Sequence, residues 1–95
     1  MKKSAKTKKK KVTFNLKAID AAEVYLVSNF NGWNTKSHPM KKLENGIWQK
    51  QVELPTGKYE YKFLVDGEWQ VDPDNDHTCN NSLGTQNSVL DFIVK

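Results

Sequence analysis

The sequence contains no arginine, a single cysteine and no apolar run near the roughly 20 residues that cross a bilayer. The lone Cys79 excludes an internal disulfide and favours a reducing compartment, so we expect a cytoplasmic protein. The lysine-rich start leads into alternating apolar residues, which argues against a secretory signal and against a membrane partner. The lack of arginine disfavours nucleic acid as a partner, because arginine makes the bidentate contacts to phosphate and guanine.

Positive charge is concentrated at the start of the chain. The net charge is +4, yet seven of the 15 lysines lie within residues 1–11, which contain no acidic residue. The other eight lysines stand against 11 acidic residues, a net charge of −3. A run of like charges with nothing to bury is typical of disorder. We therefore predict a disordered lysine-rich tail over residues 1–11 and a single domain over residues 12–95.

Short alternating apolar runs, broken by turn residues, predict an all-β protein with no helix of useful length. The apolar positions of the third run are Trp48, Val52 and Leu54, which share one face, so we expect Trp48 in the core. A polar loop is expected over residues 72–86. Six short strands in one small domain are typical of a β-sandwich of antiparallel sheets. The expected strands are residues 12–17, 24–27, 48–54, 59–65, 68–71 and 88–94.

The clearest local feature is a predicted hairpin around Asp66-Gly67. This pair is the favoured composition of a two-residue type I′ turn, and the turn determines the register of both strands. It pairs Leu64 with Trp69 and places Trp69 diagonal to Lys62. The side chains of Trp69 and Lys62 then lie on the face opposite the apolar stripe of the strand over residues 59–65.

Two of the three tryptophans have surroundings that do not predict burial. Trp33 follows the turn signal Asn31-Gly32 with polar neighbours on both sides, so we expect it to be exposed. The pattern around Trp69 fits core-edge packing and ligand contact equally well. Lys62 is by default a solvated residue, but its ammonium offers three donors beside an indole. A sugar ring would fit this arrangement, because its C–H face stacks on indole while its hydroxyls reach polar neighbours.

The remaining chemical motifs do not complete a site. Residues 72–76 begin like a calcium loop, but His77 replaces the required glycine and Leu83 replaces the bidentate glutamate. No zinc spacing, phosphate-binding glycine loop or nucleophile motif is present. The carboxylates of Asp66, Glu68 and Asp72 lie on a turn and its exit, without a deep cleft. We therefore expect no metal, no cofactor and no catalytic residue.

The same residues carry a family resemblance. The sequence from residue 12 to residue 95 resembles the glycogen-binding module of the AMP-activated protein kinase β subunit and the early-set domains of isoamylases and glucan-branching enzymes. The matching segments are residues 24–33, 54–69, 72–73 and 83–89. The resemblance implies an immunoglobulin-like, early-set β-sandwich that binds α-1,4-linked glucans such as glycogen, starch and maltooligosaccharides. A glucan-metabolising enzyme is a further expected partner.

The resemblance also implies a set of carbohydrate-binding residues. The family's two stacking tryptophans fall on Trp33 and Trp69, its sugar-contacting lysine on Lys62, and its loop contacts on Leu83, Thr85 and Asn87. Composition alone describes residues 80–88 as an ordinary turn-rich connection, in which Leu83 either plugs the core or lies beneath a ligand. Two other functions stay open: a protein-interaction module, and a binder of anionic surfaces or nucleic acid that acts through the lysine tail.

Overall fold

The computed structural model describes residues 8–94 of the chain. A single-turn 3-10 helix (Asn29–Asn31) follows the second strand. The predicted all-β class is confirmed, and this part of the chain holds no helix long and apolar enough to span a bilayer. The strands are β1 (Lys9–Lys17), β2 (Val24–Ser28), β3 (Lys41–Lys42), β4 (Ile47–Pro55), β5 (Gly57–Val65), β6 (Glu68–Gln70), β7 (Thr78–Asn80) and β8 (Gln86–Phe92).

The strands form two antiparallel sheets, as predicted for a β-sandwich. The small sheet has the order β1-β4-β3, and the large sheet has the order β2-β5-β8-β7. Strand β5 is central to the large sheet, because β2 pairs with one of its edges while β8 and β6 pair with the other edge. Strand β8 pairs with the first half of β5, and β6 pairs with the last three residues of β5.

The core lies between the two sheets and is built by the alternation of each strand. Phe14 of β1 packs edge-on against Tyr61 of β5, with 5.0 Å between the ring centroids, and so joins the sheets. Leu26 and Phe63 pair across β2 and β5 and are fully buried. Trp48 is 6% exposed, which confirms its predicted core position. Its indole N–H donates to a backbone carbonyl at 2.9 Å, so its polar atom is satisfied.

The hairpin between β5 and β6 has the predicted register. Asp66 and Gly67 have φ values of 48° and 87°, as a type I′ turn requires, and Leu64 pairs with Trp69. The Asp66 carboxylate accepts hydrogen bonds from the backbone N–H groups of Ala22 and Glu23, both at 2.9 Å. These bonds stabilise the turn conformation and tie the hairpin to the start of β2.

The first strand begins earlier than its alternation predicts. Strand β1 starts at Lys9 rather than Val12, and Lys9 to Lys11 pair with residues 53–55 of β4. Their side chains are exposed, so the backbone joins the sheet edge while the ammonium groups stay in water. This pairing corrects the expected end of the tail. Residues 1–7 of the predicted disordered tail lie outside the described residues.

Two very short strands were not predicted. Strand β7 lies within the expected polar loop of residues 72–86, and β3 contains two residues. Such strands are too short for alternation to show in the sequence. Their partners position them instead, because β7 pairs with β8 and β3 pairs with β4.

The burial of Leu26 and the exposure of Leu83 predict very different losses of stability when each side chain is truncated. We expect Leu26→Ala to lower the free energy of unfolding by about 2–5 kcal/mol, because it removes a fully buried side chain and leaves a cavity. The matched change Leu83→Ala should cost less than about 0.5 kcal/mol, since that side chain is exposed. Urea unfolding of both variants measures the difference, and similar losses would contradict the described core.

Candidate functional site

A groove of about 670 Å³ crosses the outer face of the large sheet. The alternation of strand β5 directs Glu60 and Lys62 to this face, because these groove residues alternate with the buried Tyr61 and Phe63. The groove contains every residue that the sequence selected as a candidate sugar contact: Trp33, Lys62, Trp69, Leu83, Thr85 and Asn87. The fold therefore brings together residues from positions 33 to 87 of the chain.

Trp69 forms part of the groove surface and not of the core. The side chain is 51% exposed, so of its two predicted environments the structure favours the solvent-facing one. The Lys62 ammonium lies 5.9 Å from the centroid of the indole ring, within the range of a cation–π interaction. The pair therefore combines an exposed apolar ring with an adjacent hydrogen-bond donor.

Trp33 is presented to the groove by a tightly capped turn. The side chain of Ser28 accepts from the N–H of Phe30, while the side chain of Asn31 accepts from the N–H of Ser28. Gly32 and Trp33 then both have left-handed backbones, with φ values of 68° and 60°. A bulky residue is rare in this region and persists only where its surroundings hold it. The indole is 40% exposed, as expected from the sequence.

A histidine supports this turn from behind. The Asn31 amide nitrogen donates to the carbonyl of Leu26 at 3.2 Å and lies 3.1 Å from His38 Nδ1. Burial lowers the pKa of the His38 imidazole from its ordinary 6.5, and the nearby Lys50 ammonium lowers it further. The neutral ring can accept a hydrogen bond at Nδ1 from Asn31 or from the Ser37 hydroxyl, which lies 2.8 Å away, whereas a protonated Nδ1 can no longer accept from Asn31.

The polar rim of the groove is a continuous hydrogen-bonded network. The Asn87 amide nitrogen donates to Glu60 Oε1 at 3.0 Å, and the Asn87 oxygen accepts from Asn81 Nδ2 at 3.0 Å. Thr85 Oγ1 accepts from Asn81 Nδ2 at 2.7 Å and from Lys62 Nζ at 3.2 Å. These bonds connect β5, β8 and the loop between β7 and β8.

Leu83 projects from the tip of that loop into solvent. It is 86% exposed, which excludes the alternative that it plugs the core. Its backbone N–H donates to Asn81 Oδ1 at 2.9 Å, and Gly84 follows it with a φ of 82°. The turn therefore holds an apolar side chain above a polar rim, where it can contact a ligand in the groove.

Glu60 is the acidic member of the network. The hydrogen bond from Asn87 lowers the pKa of its carboxyl, and the nearby Cys79 thiol lowers this pKa further. Burial, together with the adjacent Glu60, raises the pKa of the Cys79 thiol. The carboxylate is therefore stabilised in its charged form, and the thiol in its neutral form.

Comparison with known proteins identifies the family of this groove. Residues 10–94 match the model of the glycogen recognition site of AMP-activated protein kinase. The chain belongs to this glycogen-recognition family. The predicted resemblance and the prediction of a glucan-binding module are thereby confirmed.

Three relatives illustrate the range of the glycogen-recognition family. The chain is 53% identical over 53 residues to protein PTST homolog 2, chloroplastic, of Arabidopsis thaliana, covering 56% of this chain and 10% of that protein. It is 40% identical over 70 residues to protein FLOURY ENDOSPERM 6, chloroplastic, of Oryza sativa subsp. japonica, covering 74% and 13%. It is 38% identical over 68 residues to 5'-AMP-activated protein kinase subunit beta-1 of Sus scrofa, covering 72% and 52%.

These relatives correct the expected location. The chain spans only about a tenth to a half of their lengths, and two of them are chloroplastic proteins. The expectation of a cytoplasmic protein is therefore wrong. It rested on a lone cysteine and the lack of a long apolar run, and neither feature distinguishes the cytoplasm from a plastid.

Four groove residues were not selected from the sequence: Glu60, Asn80, Asn81 and Ser82. The spacing of β5 could have indicated Glu60, because residues two apart share a face and Lys62 was already a candidate. The role of Asn81 had no local signal, since amide-rich loops are common. Only the folded loop shows that its side chain connects four groups.

The contact behind the Trp33 turn predicts a pH dependence of stability. Since the pKa of His38 is lower in the folded state than its ordinary 6.5, the unfolded chain takes up the proton first as the pH falls. The free energy of unfolding should thus be fully retained above pH 6.5 and fall as the pH drops through the folded-state pKa. Urea unfolding of His38→Asn, which keeps an acceptor, should lose this slope.

His77→Asn serves as the matched control, because it removes a histidine that lies near Asp91 and away from the Trp33 turn. This variant should keep the slope of the wild-type protein. Equal slopes in the wild-type protein and His38→Asn would show that the turn does not depend on the neutral imidazole.

Proposed function

We propose that this chain binds α-1,4-linked glucans without catalysing a reaction, by stacking glucose units on Trp33 and Trp69. The observation that carries the proposal is the presence of two exposed indoles in one groove, beside a rim of amide, hydroxyl and ammonium groups. Glycogen is the glucan that the family's description names, and starch and maltooligosaccharides are included as ligands because they contain the same α-1,4 linkage. A pyranose ring suits this surface because it has apolar C–H faces and polar edges.

Each of the six candidate sugar contacts has a role that follows from its chemistry. The indoles of Trp33 and Trp69 provide flat apolar surfaces, and Leu83 adds an apolar contact from the opposite loop. Lys62 and Thr85 face the groove with polar atoms that can reach sugar hydroxyls. Asn87 is almost buried and acts mainly by supporting the rim through its bonds to Glu60 and Asn81.

The proposed role is binding and not hydrolysis. Most glycosidases use two carboxyl groups about 5–10 Å apart on either side of the scissile bond. Among the described residues, the groove lining contains one carboxylate, Glu60, and Asn87 already occupies one of its oxygens. The site therefore lacks the second acidic residue that such a mechanism needs.

The chloroplastic relatives favour a plastid as the compartment and starch as the glucan. A domain that binds a glucan without modifying it can bring another activity to that glucan. We therefore include a glucan-metabolising enzyme as a second partner.

Loss of either indole should weaken glucan binding. We expect a dissociation constant for maltoheptaose on the order of micromolar to millimolar, because the groove is shallow and much of the sugar stays hydrated. Trp33→Ala and Trp69→Ala should each raise that constant by at least about tenfold, as for other central aromatic contacts. Isothermal titration calorimetry measures both variants.

Ile93→Ala is the matched control for this titration. It removes an exposed apolar side chain that lies outside the groove residues, so maltoheptaose should bind it as it binds the wild-type protein. Unchanged binding by both tryptophan variants would refute the proposed site.

A second candidate function is binding to an anionic surface through β1. Lys9, Lys11 and Lys17 alternate along one exposed face of this edge strand. Within residues 8–94, no lysine forms an ion pair with a carboxylate within 4.0 Å. The positive charge of this face is thus available to an anionic partner.

Salt separates the two candidate functions. Binding of neutral maltoheptaose should change less than about twofold between 50 and 500 mM sodium chloride, because no counterions are released. Binding through β1 to a polyanion such as heparin should weaken by about tenfold or more over that range. A steep salt dependence of glycogen sedimentation would assign that binding to the lysines.

A further inference from the structure

Thr85 has an unusual hydrogen-bond environment at the groove rim. A threonine hydroxyl has two acceptor lone pairs and a single O–H donor. Both lone pairs of Thr85 Oγ1 face N–H donors, namely Asn81 Nδ2 at 2.7 Å and Lys62 Nζ at 3.2 Å. Its acceptor capacity is therefore used inside the protein, and its O–H is free to point into the groove.

The direction of these bonds is determined by groups that cannot reverse their roles. Asn81 Oδ1 accepts from the backbone N–H groups of Leu83 and Thr85, at 2.9 and 3.1 Å. The Asn81 amide nitrogen must then face Thr85 and Asn87. The Lys62 ammonium can only donate, so it also imposes an acceptor role on Thr85.

The same direction is imposed from the other end of the network. The ionised carboxylate of Glu60 can only accept, so Asn87 must turn its nitrogen towards Glu60. The oxygen of Asn87 then faces Asn81 and accepts from it at 3.0 Å. Backbone N–H groups and a carboxylate thus agree on one orientation of both amides, and the ammonium supplies the second donor to Thr85.

We propose that Asn81 is a positioning residue that converts the Thr85 hydroxyl into a dedicated hydrogen-bond donor to the ligand. The inference rests on the proposed function, because it assigns a polarity to the rim of the glucan groove. Its consequence is that Thr85 and Lys62 both offer donors at this point of the rim. The groove then requires a ligand oxygen that accepts at this position, as a ring, glycosidic or hydroxyl oxygen of a sugar can.

The donor role of Thr85 can be tested by comparing two substitutions. Thr85→Val is nearly isosteric and removes the O–H, so it should weaken maltoheptaose binding by about three- to tenfold, the value of one hydrogen bond. Thr85→Ser keeps the hydroxyl and its two donors, and should retain binding within about threefold of the wild-type protein. Thr13→Val, on the exposed face of β1, is the matched control and should not change binding.

The positioning role of Asn81 needs a readout that simple loop damage would not give. In Asn81→Asp one oxygen can still accept from the two backbone N–H groups, but the second oxygen replaces the donor to Thr85. That oxygen attracts the Thr85 O–H away from the groove. We expect Asn81→Asp to weaken binding by about three- to tenfold in the wild-type background.

A double-mutant cycle isolates the part of this effect that passes through Thr85. In the Thr85→Val background no hydroxyl remains to be reoriented, so Asn81→Asp should cost at least threefold less there than in the wild-type protein. Any repulsion between the new carboxylate and Asn87 persists in both backgrounds and cancels. Calorimetry with maltoheptaose, with thermal unfolding to verify folding, provides the four constants.

The outcomes separate this inference from the proposed function. If the wild-type protein does not bind maltoheptaose, the proposed function fails. If the wild-type protein binds and Thr85→Val binds equally well, the donor role of Thr85 is refuted. If both effects are present but additive, Asn81 supports the loop without orienting the hydroxyl, and the positioning role is overturned.

Discussion

The alternation of β5 is the constraint on which both the core and the groove depend. Tyr61 and Phe63 face inward and pack between the sheets, so Glu60 and Lys62 must face the groove. A shift of one residue would move charged groups into the core and aromatic rings into water. Because the type I′ turn that begins at Asp66 determines where β6 pairs, it also determines where the indole of β6 lies.

The groove combines two kinds of surface with different structural support. Trp33 depends on a capped turn whose strained backbone is held by hydrogen bonds that the side chains of Ser28 and Asn31 accept. The polar rim depends on a network whose directions are imposed by an acid, an ammonium and backbone N–H groups. Both parts are organised before any ligand arrives, which lowers the entropic cost of binding at a shallow site.

Much of the fold could be read from local patterns. Alternation predicted the five longer strands and the core position of Trp48, and the Asp66-Gly67 turn predicted β6 and the register that pairs Leu64 with Trp69. Alternation did not predict that β1 starts at Lys9, because a charged edge strand gains backbone pairing without burying its side chains. Strands β3 and β7 were missed because two or three residues are too few to display a period, and neither strand follows a two-residue turn signal as the equally short β6 does.

The candidate site, like the fold, was predicted only in part from the sequence. The sequence by itself determined which side chains could contact a sugar, because an exposed aromatic, a lysine at its diagonal and the family's motifs are local features. Only the tertiary structure decided that Trp33 and Thr85 share one groove, and that Asn81 and Glu60 organise its rim. The physical reason is that hydrogen-bond direction depends on neighbours brought from distant strands, which no local pattern encodes.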